Sequence, residues 1–191
     1  MKKIIYLLTL VLCLASCNSC KDTLDAVDLN VERVTTTDKE YMFTNYTGDY
    51  KWYETCILLN DYLDEECDGT IASITNVFQV VLSEDANNCD TNVILATHTP
   101  EDTNIEIKHG FWVEDFSMND EEIKIPFTQA FENIMKVNYP KPHSRHVVLR
   151  KEVGPFAANP QYIFGNQDMQ LYVDATTGEV TDKNPAFFPK E

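Results

Sequence analysis

The chain has few basic residues and lacks the common motifs of catalysis and metal binding. It contains 15 lysines and arginines against 31 aspartates and glutamates, which gives a formal net charge of −16. An acidic surface of this kind repels phosphate groups, so nucleic acid is excluded as a partner. The sequence has no G-x-S-x-G, no C-x-x-C and no complete EF-hand loop. We therefore expect no enzyme activity, no catalytic residue, no metal site and no cofactor.

The chain also lacks an apolar run long enough to span a membrane. The apolar stretch at residues 4–14 covers about 11 residues, too few for roughly 30 Å of hydrocarbon, and two lysines precede it. These features predict a cleaved signal peptide over residues 1–16. The Leu-Ala-Ser-Cys that ends at Cys17 resembles the lipobox of bacterial lipoproteins. The resemblance implies that Cys17 becomes the mature N-terminus and carries diacylglycerol and palmitate; the alternative is an ordinary signal peptide with a free Cys17.

Two or three acyl chains hold a protein durably at a bilayer, so the lipid anchor makes the membrane the first partner. Lys21-Asp22 resembles the surface-export signals of Bacteroidetes lipoproteins, and Asp22-Thr23-Leu24 resembles their O-glycosylation acceptor. We therefore expect a lipid-anchored protein of the cell outer membrane that is exposed at the cell surface.

The texture of the chain changes near residue 41. Residues 17–40 are polar, contain three consecutive threonines at Thr35–Thr37, and predict a lipidated N-terminus followed by a flexible tether. Beyond them, alternating aromatic and β-branched residues predict strands at 50–62, 70–82, 92–98 and 104–113, with turns at 64–69, 83–91 and 99–103.

Four cysteines remain once Cys13 has left with the signal peptide and Cys17 has taken lipid. If the first two strands form a hairpin, Cys56 lies toward the same end as Cys89, while Cys67 is stranded at the turn. A disulfide needs Cα atoms within about 7 Å. The geometry predicts a Cys56–Cys89 disulfide and leaves Cys20 and Cys67 free or loosely paired.

A helical period replaces the alternating pattern after Pro126. Apolar residues recur at helical spacing on one face, and Pro140 and Pro142 end the segment. Strand candidates follow at 146–153, 161–164 and 169–173, the last two joined by a hairpin turn at Gly165–Asp168. The apolar residues of the helix are Phe127, Ala130, Phe131, Ile134 and Met135.

This helix and three strands, ending Leu-Tyr-Val-Asp-Ala-Thr-Thr-Gly-Glu-Val at Val180, resemble the PepSY-like domain of bacterial secreted proteins and lipoproteins. The resemblance covers residues 120–181 and implies an α+β fold, an antiparallel sheet with one amphipathic helix packed on it, like that of the β-lactamase inhibitor proteins. Residues 120–191 would form this PepSY-like half. Residues 41–119 form a β-rich first half, either a diverged copy or an extension of the sheet.

The function hypothesis is a non-catalytic module that binds, and in one version inhibits, an unknown envelope protein or peptide. The alternatives are an envelope hydrolase and a structural subunit of an outer-membrane assembly. Trp52 and Trp112 are the candidate partner surface, because aromatic side chains supply large contact area. His143 and His146 stand three apart, but they lie in a proline-broken loop and are interpreted as ordinary surface histidines.

Overall fold

One antiparallel sheet dominates the fold. The computed structural model describes residues 29–46, 50–64, 66–85 and 88–188, with the backbone alone for 83–85 and 88–90. The strands within these ranges are β1 Tyr50–Leu59, β2 Ile71–Asp85, β3 Asn88–His98, β4 Thr103–His109, β5 Asp115–Phe116, β6 His146–Glu152, β7 Gln161–Gly165, β8 Gln170–Asp174 and β9 Val180–Thr181. They lie in the order β4-β3-β2-β1-β6-β7-β8-β9, and β5 pairs with β6.

Every strand predicted from the alternating pattern is confirmed, with shifted ends. The predicted turn at 83–91 is shorter than expected, because β2 continues to Asp85 and β3 begins at Asn88. β4 ends at His109, four residues before the predicted end. The hairpin turn predicted at Gly165–Asp168 is also present: Asn166 N–H donates to the Met169 carbonyl. A further turn joins β8 to β9, where Gly178 N–H donates to the Asp174 carbonyl.

The helix predicted after Pro126 is confirmed as an α-helix, and a second helix precedes the sheet. Among the residues that the structure describes, the helices are α1 Val31–Asn45 and α2 Phe127–Lys136, and a 3-10 turn lies at Asp120–Glu122. The apolar face of α2 is buried as its spacing predicted, with Ala130 and Ile134 fully covered. Burying one such aliphatic side chain stabilises the fold by about 1.5–3 kcal/mol.

The flexible tether predicted for residues 17–40 is wrong where the structure describes it. Residues 31–40 belong to α1, whose N-cap is Asn30: its Oδ1 accepts the Arg33 N–H at 2.8 Å. Met42 packs into the core, and Glu32 Oε1 accepts the Phe127 N–H at the start of α2. The first part of the predicted tether and Cys17 lie outside the described residues.

The predicted α+β, PepSY-like fold class is wrong. The fold is β-rich, with 40% of the chain in strands and 19% in helices, and within the described ranges two α-helices rather than one accompany the sheet. The sheet also runs without a break through both predicted halves, since β1 pairs with β6. This pairing favours the sheet-extension alternative for residues 41–119.

The predicted disulfide between Cys56 and Cys89 is not formed. Cys56 is free. It lies opposite Thr75 in β2, which lies opposite Thr97 in β3, whereas Cys89 lies opposite Glu84. Positions 89 and 97 are eight residues apart in β3, which is about 27 Å of extended chain, far beyond the reach of a disulfide. Cys67 is free and buried.

Candidate functional site

A groove of about 1080 Å³ lies between α1 and the β3–β4 hairpin, and we call it the α1 groove. Its lining is mostly apolar. Clefts that take small ligands usually enclose about 300–1,000 Å³, so this one has room for several residues of a peptide. The lining residues are Leu29, Arg33, Val34, Thr37, Asp38 and Tyr41 on the α1 side, and His98, Thr99, Pro100, Glu101, Asp102, Thr103 and Ile105 on the hairpin.

A buried polar network forms the base of the α1 groove. Asp38 is 3% exposed; its Oδ1 lies 2.8 Å from His98 Nε2, and its Oδ2 accepts from Asn76 Nδ2 at 2.7 Å. The Oδ1 of Asn76 accepts the hydroxyls of Thr35 and Thr55. Burial raises the pKa of Asp38, although the bonds to Asn76 and His98 act in the opposite direction. The network ties α1 to β1, β2 and β3 and fixes the His98 ring.

Asp38, His98 and Thr103 form a chain of hydrogen bonds like one that activates a hydroxyl group. An ionised Asp38 can only accept, so His98 donates its Nε2–H to Asp38 Oδ1, and His98 Nδ1 is then the acceptor for the Thr103 hydroxyl at 3.0 Å. A hydroxyl beside an oriented imidazole is the arrangement that nucleophilic catalysis requires. Thr103 and His98 are cross-strand partners in the β3–β4 ladder, so the strand pairing alone also explains their contact.

A second polar cluster surrounds Arg150 on the other face of the sheet. The guanidinium pairs with Glu152, with Asp115 at 3.6 Å and with Glu54 at 3.9 Å. Burial, and then the neighbouring Glu54 carboxyl, raise the pKa of Asp115 to about 7, against the opposing effect of Arg150. Asp115 Oδ1 has no hydrogen-bond partner among the described residues. Asp115 does not line the α1 groove or any of the three smaller grooves found among the described residues.

Cys56 lies at the edge of this cluster, and its thiol is unreactive. Its thiol donates to Glu54 Oε1 at 2.8 Å. Burial, followed by the Glu54 carboxylate, raises the pKa of the Cys56 thiol far above its ordinary value. The thiolate is the reactive form of cysteine, so Cys56 stays protonated and unreactive at neutral pH.

The two tryptophans predicted as a partner surface lie in different surroundings. Trp52 is 5% exposed: the Lys39 ammonium lies 3.6 Å from its ring centre, and its indole N–H donates to the Thr55 hydroxyl. The prediction is therefore wrong for Trp52. Trp112 is half-buried, and its indole N–H donates to Asp115 Oδ2. Its place in a partner surface stays a prediction.

The sequence-derived histidine pair is not brought together as a site. The His143 ring stacks on Tyr62 with the ring centres 4.1 Å apart, and His146 begins β6 at an exposed position. In the part of the chain that the structure describes, no group of three His, Cys, Asp or Glu side chains could hold a metal ion. No described helix has the length and apolar character needed to cross a membrane.

The comparisons with known proteins give a match that covers only the N-terminal segment of the chain. Residues 1–18 match a family model described as a prokaryotic membrane lipoprotein lipid attachment site. The predicted lipoprotein signal is thereby confirmed, and the chain is a lipid-anchored lipoprotein of the bacterial envelope. No curated protein and no solved structure matches the chain. The match ends before the sheet begins and includes Cys17.

Proposed function

We propose that this lipoprotein is a non-catalytic module of the envelope that binds a protein or peptide segment in the α1 groove. The single observation that carries the proposal is a roomy, mostly apolar cleft whose base is held by a fully connected polar network. Apolar clefts with a few fixed polar groups are the usual form of binding sites. Rigid bases of this kind lower the ordering cost of binding.

The charges of the groove favour a ligand that carries a basic residue. Asp38 lies at the base, and Glu101 and Asp102 lie at the exposed rim. Arg33 is the one cation in the described lining. A segment with apolar side chains and one lysine or arginine would match both the lining and the net negative charge of the chain.

The test is site-specific photocrosslinking from Tyr41 in intact cells, since this side chain lines the groove and is 40% exposed. A benzophenone amino acid at Tyr41 should give a discrete adduct. Thr37→Trp fills the groove and should abolish that adduct. Thr36→Trp, at the preceding residue of α1 and outside the groove lining, should leave it. An adduct that Thr37→Trp does not weaken would contradict binding in the groove.

The second candidate function is hydrolysis, which the Thr103, His98 and Asp38 line favours. A fluorophosphonate probe and a panel of chromogenic esters, applied to the full chain, separate it from binding. We expect neither labelling nor turnover. Covalent labelling or turnover that Thr103→Val removes, with the photoadduct at Tyr41 unchanged, would establish the hydrolase instead.

We place the anchor in the outer membrane with the domain facing outward. The support is sequence alone: Asn18, and not aspartate, follows Cys17, and Lys21-Asp22 resembles a surface-export signal. Sucrose-gradient separation of the two membranes tests the first part. Protease shaving of intact cells tests the second, and full protection from protease would contradict surface exposure.

A further inference from the structure

The β4 strand forms an open edge of the sheet. It is last in the strand order and pairs with β3 alone among the described strands. Every residue of β4 except Ile105 is exposed, and the apolar side chain of Ile107 is 54% exposed. An exposed edge strand presents backbone donors and acceptors that another strand can use.

The β3–β4 hairpin fixes which backbone groups of β4 point outward. Thr99 N–H donates to the Asp102 carbonyl at 2.8 Å, and the N–H of Gly110, just past β4, donates to a β3 carbonyl at 3.0 Å. Bonded and non-bonded pairs alternate along an antiparallel ladder. The even-numbered residues of β4 therefore bond to β3. The backbone groups of Ile105 and Ile107 point away from it.

We propose that two copies of the chain join edge to edge through β4, antiparallel, with Ile107 at the two-fold axis. This inference does not rest on the proposed function, although Ile105 of β4 also lines the α1 groove. Ile107 then lies opposite Ile107 of the second copy, Ile105 lies opposite His109, and Glu106 lies opposite Lys108. The occupant is a second copy because the strand is complementary to itself: one pairing sets two opposite-charge pairs and one apolar pair in register.

The outward backbone groups select this register over its neighbours. A pairing centred on Glu106 would use even-numbered residues, which already bond to β3, and would set two glutamates opposite each other. A pairing centred on Ile105 would need the Thr103 N–H, which already donates to Asp102 Oδ1 at 2.8 Å. The register centred on Ile107, in contrast, uses backbone groups that point away from β3, and it opposes unlike charges.

The lipid anchor helps so small an interface to form. About six backbone hydrogen bonds would link the two strands, fewer than a stable interface in dilute solution usually has. Two chains held in one membrane plane meet at a much higher effective concentration. Glu106 and Lys108 already approach to 3.3 Å within one strand, with both side chains about half exposed, so they can turn to a partner at little cost.

Oxidative crosslinking of the lipidated full chain in phospholipid vesicles tests the interface. Residues opposite each other at a bonded pair have Cα atoms about 5.5 Å apart, within disulfide range. Ile107→Cys should therefore give a covalent dimer on oxidation. The matched control is Phe43→Cys, an exposed aromatic position on α1, and it should give at least about tenfold less. Equal yields from the two variants would overturn the proposal.

Charge reversal on the Ile107→Cys background tests the register. Glu106→Lys and Lys108→Glu each set two like-charge pairs across the interface, so each should lower the dimer yield about tenfold. A mixture of the two single variants restores both unlike pairs and should restore crosslinking between them, as should the double variant alone. An unchanged yield of covalent dimer in the single charge-reversal variants would overturn the pairing. So would a crosslink from position 107 to a different polypeptide in cells. The recovery in the mixture shows that the single variants are folded.

Discussion

At the scale of single residues, Asn76 shows how the base of the α1 groove is held together. It is fully buried in β2, and its amide satisfies a carboxylate on one side and two hydroxyls on the other. A threonine cannot replace it, because no other side chain offers donors and an acceptor in that geometry. Asn76 therefore links the helix to the sheet.

We expect Asn76→Ala to lower the free energy of unfolding by about 2–4 kcal/mol. The change leaves the buried Asp38 carboxylate without its second donor and opens a small cavity. Urea unfolding followed by circular dichroism measures the loss. Asn104→Ala, at an exposed position in β4, should cost less than about 0.5 kcal/mol. Similar losses in both variants would show that the network does not stabilise the fold.

Asp115 gives the fold a pH dependence of unusual sign for a carboxyl group. Its pKa rises from 3.8 to about 7 in the folded chain, first through burial. The folded state therefore binds this proton more tightly than the unfolded state, so the contribution is complete below about pH 3.8 and is lost as the pH rises to about 7.

Asp115→Asn removes this titration and keeps an oxygen for the Trp112 indole N–H. We expect the stability of the variant relative to the wild type to increase steadily from pH 4 to pH 7 and then to level off. Urea unfolding at half-unit pH intervals measures the difference. A difference that stays constant across this range would show that Asp115 is already ionised in the folded chain from about pH 4 upward, with no raised pKa.

Part of the candidate site could be predicted from sequence at this scale, and part could not. His98 ends a predicted strand and Thr103 ends the predicted turn at 99–103, so their cross-strand contact is close to what the predicted hairpin implies. Asp38 could not be placed with them. It lies in a segment whose threonines and charges indicated a solvated tether, and its partners are 38 and 60 residues away in sequence.

At the scale of elements, the strands were predictable and α1 was not. Strands alternate apolar and polar residues because one face is buried, and that signal is local. In α1 polar residues occupy core positions: Thr35 and Asp38 are buried with Val34 and Met42, and three consecutive threonines favour other conformations. The sequence signal for this helix is Asn30, a residue type that is favoured at the N-cap. Its side-chain oxygen accepts the backbone N–H of Arg33, three residues later.

The β7–β8 hairpin depends on glycine at position 165. Gly165 has φ +132°, and a Cβ there would lie 2.1 Å from the Met169 carbonyl oxygen. Gly110 has a similar φ of +145° with no atom within 4 Å of such a Cβ. An alanine at either position has an unfavourable backbone conformation, but only at Gly165 does its Cβ also clash with neighbouring atoms.

We expect Gly110→Ala to cost about 1–3 kcal/mol through backbone strain alone. Gly165→Ala should cost clearly more, because it must also move β7 away from β8 in a buried part of the sheet. Thermal and urea unfolding of both variants measure the two losses. Equal losses would mean that the hairpin can relax around a Cβ without disturbing the ladder.

At the scale of the whole molecule, the sheet order explains why the fold class was mispredicted. The helix and the three strands at the C-terminus are present as predicted, and these four elements alone match the pattern of a small α+β domain. The pairing of β1 with β6 places Glu54 opposite Arg150. These residues are 96 positions apart, so no local sequence pattern predicts their contact. The sheet is therefore one long structure in which the helices cover part of one face.

The lipid anchor is the one connection between this acidic domain and its membrane that the comparisons identify. A net charge of −16 keeps the domain from binding anionic headgroups by itself. Two or three acyl chains supply about 0.8 kcal/mol per buried methylene, which is enough for durable attachment. Membrane association should therefore depend on the thiol of Cys17 alone.

We expect Cys17→Ala to abolish incorporation of labelled palmitate and to shift the protein from the membrane pellet to the soluble fraction by at least about tenfold. Cys20→Ala, three residues along the same segment, is the matched control and should keep both the label and the pellet. Metabolic labelling and ultracentrifugation in high salt measure the two quantities in the same cells. Continued sedimentation of Cys17→Ala would show that the folded domain holds the membrane through a protein contact, because its charge disfavours direct binding to anionic lipid.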